Sequence, residues 1–255
     1  MQYRGYKTHY INEIQISQEG PVTLGFTGGY QNTKNEDGAY VVHEAGAVFT
    51  VIMDAHTGHE AIEVYMDLIQ AQEGAIRQAM NLDLKSSVSQ IEGLMKDMLL
   101  GEFNMKKALT LRGETAFLAC LQKEGYLWWL SVGDNSLYVF HKDFSDLGQY
   151  RVNQRIFYQW TGQANALALD IPAYVQGVLE LRPGSNKILL LTDGVLEIPG
   201  RPFENNSYLD RLLKEGYQVA FDKILRQVLA LEGRDNACLI GWTAQGRDQA
   251  LVPSR

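Results

Sequence analysis

Cysteine is scarce in this chain. There are two in 255 residues, Cys120 and Cys238, each inside an apolar, strand-like run (AFLACL and ACLIGW). That leaves no disulfide framework and no thiolate metal site, and it points to buried reduced thiols and a cytoplasmic setting. A run of Lys or Arg is also missing, and the formal net charge is −7. This balance suits neither nucleic acid nor an anionic membrane. No apolar stretch approaches the length of a membrane span. The opening MQYRGYKTHYINEIQ carries no apolar signal-peptide core, so none is expected. There is no Gly-Lys pair, which argues against a P-loop, and no G-x-S-x-G, which argues against a serine hydrolase. Without repeats or a Pro/Gly/Ser linker, a single domain over 1–255 is expected, large enough for a sizeable core and monomeric by default.

What the chain does have is a set of carboxylates just beyond apolar runs or in tight turns. They are Glu36 and Asp37 in NED, Asp54 in VFTVIMD, Asp134 in VGDN, Asp193 in LLLTDG and Asp235 in GRDN. A carboxylate beside a buried strand is costly unless something positive meets it. With no basic run to supply that charge, the expected partner is metal. A thiolate-free, oxygen-rich donor set selects hard divalent cations such as Mn²⁺ or Mg²⁺.

Strand signals rich in β-branched and aromatic residues fall at 22–27, 38–44, 47–54, 114–122, 126–133, 136–141, 174–181, 187–193 and 236–243. Short joins between 38–44 and 47–54, and between 126–133 and 136–141, predict antiparallel hairpins. Apolar residues at helical spacing predict a helix over 58–79. A second follows a Ser87/Gln90 capping box, and two more run from near Ser207 to a C-cap at Gly233, with a pause at Gly216. Antiparallel sheets covered by paired helices, an α+β arrangement, follow from this order. The irregular stretch 142–173 reads as an insertion over one rim, either a plain surface loop or a substrate-facing flap.

The segments 35–38 (NEDG), 54–60 (DAHTGHE), 113–116 (GETA), 132–135 (VGDN), 192–194 (TDG) and 234–236 (RDN) occur in an order that resembles the metal-dependent protein phosphatases of type 2C, over roughly 22–243. The resemblance implies a four-layer αββα sandwich: two antiparallel sheets face to face, helix pairs on both outer faces, and a metal site at one end. It implies two or three Mn²⁺ or Mg²⁺ ions. Asp54 would bridge two of them, with the Ala55 carbonyl on one, Asp193 and Asp235 on the other, and Glu36 and Asp37 holding the second ion directly or through water. Asp134 would take part in a third, weaker site shared with Asp193. It implies hydrolysis of phosphoserine and phosphothreonine esters in a protein substrate by a hydroxide bridging metals ~4 Å apart. His56 would be the general acid toward the leaving oxygen, on the same side as Asp54 if the segment is extended.

The sequence also departs from that family. The arginine that grips the substrate phosphate is replaced by Asn32, which lacks a charged fork, with Lys34 as a partial substitute. The glycine after the bridging aspartate is Ala55. The GDSR-like turn reads Gly133-Asp134-Asn135-Ser136-Leu137 and loses its arginine. Glu197 stands where aspartate is frequent. His59 is expected to cap a helix or support the ligands, and His9, His43 and His141 to be structural. Two other readings remain open: a degenerate, metal-binding regulatory module, and a zinc hydrolase built on Asp54, His56 and His59. The latter matches no zinc-protease pattern and leaves the other aspartates unexplained.

Overall fold

A computed structural model of the chain describes residues 1–7 and 12–250. One antiparallel sheet has seven strands. Its order is β1 (Gln2–Arg4), β4 (Gly38–Glu44), β5 (Ala47–His56), β6 (Glu114–Lys123), β7 (Tyr126–Val132) and β10 (Val175–Glu180), with β9 (Thr161–Gly162) beside β6. The other has five, in the order β2 (Gln15–Glu19), β3 (Val22–Thr27), β12 (Ala237–Gly246), β11 (Gly184–Leu191) and β8 (Ser136–Phe140). The central strand β5 is buried from Ala47 to Asp54 and, Thr50 apart, apolar through Met53, as a strand covered on both faces requires. Its alternation feeds two cores: Val48 and Ile52 point into the layer between the sheets, whereas Phe49, Val51 and Met53 point toward helices.

Those helices are α1 (Glu60–Ala71), α2 (Glu73–Met80), α3 (Leu84–Leu100) and α4 (Glu102–Ala108). Ile62, Tyr65, Met66 and Ile69 form the stripe that α1 buries on the sheet. Beyond β8 lies a one-turn helix, α5 (Lys142–Ser145). On the five-stranded sheet lie α6 (Asp193–Leu196), α7 (Asn206–Leu213) and α8 (Tyr217–Ala230), and α8 contributes Ala220, Phe221, Ile224, Leu225 and Val228 to that core. The expected αββα layering holds. The face over the seven-stranded sheet carries four helices rather than a pair.

Several local expectations are corrected. The join at 133–135 does not make a hairpin. β7 pairs with β6 and β10, while β8 pairs with β11 in the other sheet. Gly133, at φ +90°, turns the chain from one sheet to the other, and a Cβ there would stand 2.7 Å from that of Ala116. Ser87 is not a cap. Asp83 caps α3 by accepting from Ser86 N at 3.1 Å, and Ser87 is buried with its hydroxyl donating to the Ala79 carbonyl at 2.7 Å. The helix expected over 58–79 is broken at Gln72. α8 ends at Ala230, and Glu232, not Gly233, takes the left-handed position at φ 58°. Edge strands β1 and β2 give no strand signal in the sequence, because their faces are only partly buried and their residues largely polar. His9 lies outside the described residues.

Candidate metal centre

The switches between sheets explain where the acids meet. β3 ends in one sheet and β4 begins in the other, so the loop carrying Glu36 and Asp37 crosses at the end of the sandwich. The turn carrying Asp134 crosses at the same end. Asp54 near the end of β5, Asp193 after β11 and Asp235 before β12 complete the set, because Gly38 pairs with Met53, Asp54 with Ala116, Leu191 with Ser136 and Leu239, and Ala237 with Thr27.

Two side chains lock the crossing loop. Asn236 accepts from Glu36 N at 2.7 Å and donates to the carbonyls of Gly28 and Lys34, both at 3.0 Å. Thr192 donates to Asp37 Oδ2 at 3.1 Å while accepting from Cys238 N at 3.0 Å. The glycine of TDG is needed for close approach: a Cβ on Gly194 would lie 1.9 Å from the Asn236 carbonyl oxygen. The Asp54 carbonyl accepts from Thr115 Oγ1 at 2.7 Å, and Asp193 N lies 3.4 Å from Asp54 Oδ2.

Asp54, Ala55, His56, Asp134, Asp193 and Asp235 share one cleft of about 210 Å³, with Glu197 and the rings of Phe157, Tyr158 and Trp160 completing its wall. Asp37 is buried next to it. Burial, then repulsion by Asp235 and Asp193, pushes the Asp37 carboxyl well above the ordinary aspartate range. Burial, then Asp193 and Asp37, does the same to Asp54. Asp193 is raised to about 7, by burial and then by Asp235. The Oδ1 atoms of Asp37 and Asp193 are buried with no hydrogen-bond partner. Mutually repelling carboxylates with orphaned oxygens are what a hard cation satisfies, so the donor set fits Mg²⁺ or Mn²⁺. Among the described residues, no group of three or more His, Cys, Asp or Glu side chains is placed so that it could by itself hold a metal ion. Hard cations that keep several waters, and so draw on few carboxylates each, do not require one.

The histidines separate clearly. His56 Nδ1 lies 2.8 Å from Glu114 Oε1, and its ring stacks on Trp160 at 4.7 Å between centroids. His59 precedes α1 but makes no side-chain cap. It stacks on Tyr6, and its Nδ1 lies 3.5 Å from Glu36 Oε1. His43 faces Glu19, and His141 pairs with the Pro183 carbonyl.

Asn32 and Lys34 are not among the residues lining the cleft. The Asn32 amide donates to the Arg234 carbonyl at 3.1 Å, and its oxygen accepts from Thr33 N at 2.9 Å; Lys34 pairs with Glu36.

Five residues at the site carry no signal of a role in the sequence: Glu114, Arg155, Phe157, Tyr158 and Trp160. Glu114 lies in the GETA segment, where nothing local marks it as the partner of His56. The other four come from the irregular stretch, which is rooted more firmly than its composition suggests. Val152 N donates to the Leu137 carbonyl and Ile156 N to the Gly133 carbonyl, both at 2.9 Å. Asn153 accepts from Leu137 N and donates to the Asn135 carbonyl, both at 2.8 Å. Arg155, with a side chain only 7% exposed, donates Nε to the Asp134 carbonyl at 2.8 Å and Nη2 to Glu197 Oε1 at 2.9 Å. So two acids of the set do meet a basic side chain, Glu36 through Lys34 and Asp134 through Arg155, contrary to the expectation that all the positive charge is metal.

No family model matches the sequence, and no curated protein matches it. Solved structures do. A bacterial serine phosphatase carrying an arginine-to-alanine substitution aligns with a TM-score of 0.69 at 18% identity, over 89% of this chain and 99% of its own. The S. agalactiae serine/threonine phosphatase aligns at 0.62 and 16%, over 90% and 98%. RsbX in complex with magnesium aligns at 0.57 and 12%, over 91% and 100%. At such identities the likeness establishes the fold.

Proposed function

We propose, from a fold shared with bacterial serine/threonine phosphatases, that this chain is a type 2C, metal-dependent phosphatase acting on phosphoserine and phosphothreonine in proteins. The observation that carries the reading is the gathering of Asp37, Asp54, Asp193 and Asp235 at one end of the sandwich with two buried carboxylate oxygens left orphaned. Asp54, Asp193, Asp235, Asp37, Glu36 and the Ala55 carbonyl would hold the divalent cations, with Asp134 at the margin. Cations bound there supply Lewis acidity to a water and to the phosphoryl oxygens.

The rest of the chemistry belongs to side chains. His56 gives its proton to the leaving seryl or threonyl oxygen. With Nδ1 held by Glu114, Nε2 is the nitrogen available for that transfer. Trp160 fixes the plane of the ring by stacking and covers one side of it from water. The chain's negative charge and its reduced cysteines fit an enzyme of the cytoplasm.

The direct test is turnover of a small aryl phosphate and a phosphothreonine peptide with and without Mn²⁺. Mn²⁺-dependent release of phosphate is expected. Metal binding without turnover would favour a regulatory module instead, and the spent Asn32 amide is the observation on that side. Glu114→Gln keeps the size but removes the charge that orients His56. Its kcat is expected to fall by about 10-fold with KM nearly unchanged. In a His56→Ala background the same change is expected to add nothing, because the two residues act as one unit.

A further inference from the structure

Asp134 differs from the other acids of the cleft. The buried carboxylate oxygens without partners belong, among the described residues, to Asp37 and Asp193. Asp134 instead has a guanidinium beside it: Arg155 Nη2 stands 3.7 Å from Asp134 Oδ2 and 2.9 Å from Glu197 Oε1. The guanidinium also lies over the Phe157 ring, at 4.6 Å from its centroid. Both charged side chains are nearly sealed from water, at 7% and 11% exposure, so the pair is poorly screened.

Arg155 has little freedom to leave. Its Nε is tied to the Asp134 carbonyl, and the backbone on either side is bonded to the sheet switch through Asn153 and Ile156. A divalent ion on the Asp134 carboxylate would sit ~2–2.6 Å from its oxygens. It would then stand within a few ångströms of a fixed, permanently charged guanidinium. Like charges that close, in a shielded pocket, exclude one another.

We propose that Arg155 occupies, with its guanidinium, the electrostatic place of a third cation at Asp134, so that this chain holds two divalent ions and not three. The irregular segment thereby replaces a diffusible ion with a built-in positive charge shared by Asp134 and Glu197, which offsets part of their negative charge at any metal concentration. The inference rests on the metal-centre reading above, and the experiment separates their failures.

Bound Mn²⁺ per chain is counted by equilibrium dialysis and by calorimetric titration of the full chain. Wild type is expected to take up two ions. Arg155→Ala is expected to admit a third, and adding Asp134→Asn to that variant is expected to return the count to two. In the wild-type background, Asp134→Asn is expected to leave two ions bound, since no ion depends on it. That arm stands even if Arg155→Ala does not fold. Three ions in wild type, two in a folded Arg155→Ala, or a lowered count in Asp134→Asn would each overturn the proposal. No bound Mn²⁺ in wild type would instead remove the metal centre itself, and this inference with it.

Discussion

Replacing Asp54 by asparagine is expected to lower Mn²⁺-dependent phosphatase turnover by at least ~100-fold while leaving the fold intact. Loss of a group that merely supports a metal ligand costs 10–100-fold, and a carboxylate placed among the ions should cost no less. The position is fixed by the sheet and not by the charge. Asp54 is paired with Ala116, and its carbonyl is held by Thr115. Asparagine keeps the size and an oxygen for Asp193 N, which lies 3.4 Å from Asp54 Oδ2. It removes a negative charge that burial and the neighbouring Asp193 and Asp37 already make costly. The variant should therefore melt no lower than wild type without metal, yet bind Mn²⁺ weakly. Initial rates across an Mn²⁺ series, beside a melting curve, separate these effects. Wild-type rates in Asp54→Asn would take this residue out of the reaction.

Much of this site is legible in the sequence, because its parts are strand ends. Apolar runs such as ILLL before Thr192-Asp193 announce a buried strand, and an acid just beyond one calls for a partner. Order along the chain then supplied the rest. Pairing was less legible. Residues 126–132 and 136–140 look like the arms of a hairpin, but local spacing cannot tell a turn back from a step across to a second sheet. Here the step is what carries Asp134 to the end of the sandwich. Ser87 misled for a related reason: a hydroxyl three residues before a glutamine fits a cap, and only tertiary packing reveals that it serves the Ala79 carbonyl. Arg155 was invisible because it lies among irregular residues with no periodicity. Its position is set by the bonds that its neighbours Val152, Asn153 and Ile156 make to Leu137, Asn135 and Gly133, which are near in space through the run back along β8. The positive charge thought to be missing beside VGDN is thus supplied from about 20 residues downstream.

The metal-free protein should be a strained one, and its pH dependence should show it. Asp37, Asp54 and Asp193 all have carboxyl groups raised by burial and mutual repulsion, Asp193 to about 7. In the unfolded chain an aspartate titrates near ~3.9. Between these limits the folded state holds more protons than the unfolded state, so stability must fall as pH rises from about 4 to about 7. Without metal, the melting temperature is expected to be higher at pH 5.5 than at pH 8 by about 5 °C, the scale set by a loss of ~2 kcal/mol in a chain of this size. Divalent cations should reverse the sign. They favour the ionised carboxylates, and at 100 times its dissociation constant a bound ion contributes ~2.7 kcal/mol. Mn²⁺ at pH 8 is thus expected to raise the melting temperature by about 5 °C or more, with little effect at pH 5. The comparison that isolates the site is with Asp54→Asn, whose metal-free melting temperature should depend less on pH. A melting temperature flat in pH, unmoved by Mn²⁺ and no different in that variant, would mean that the buried acids do not share charge in the way their positions require.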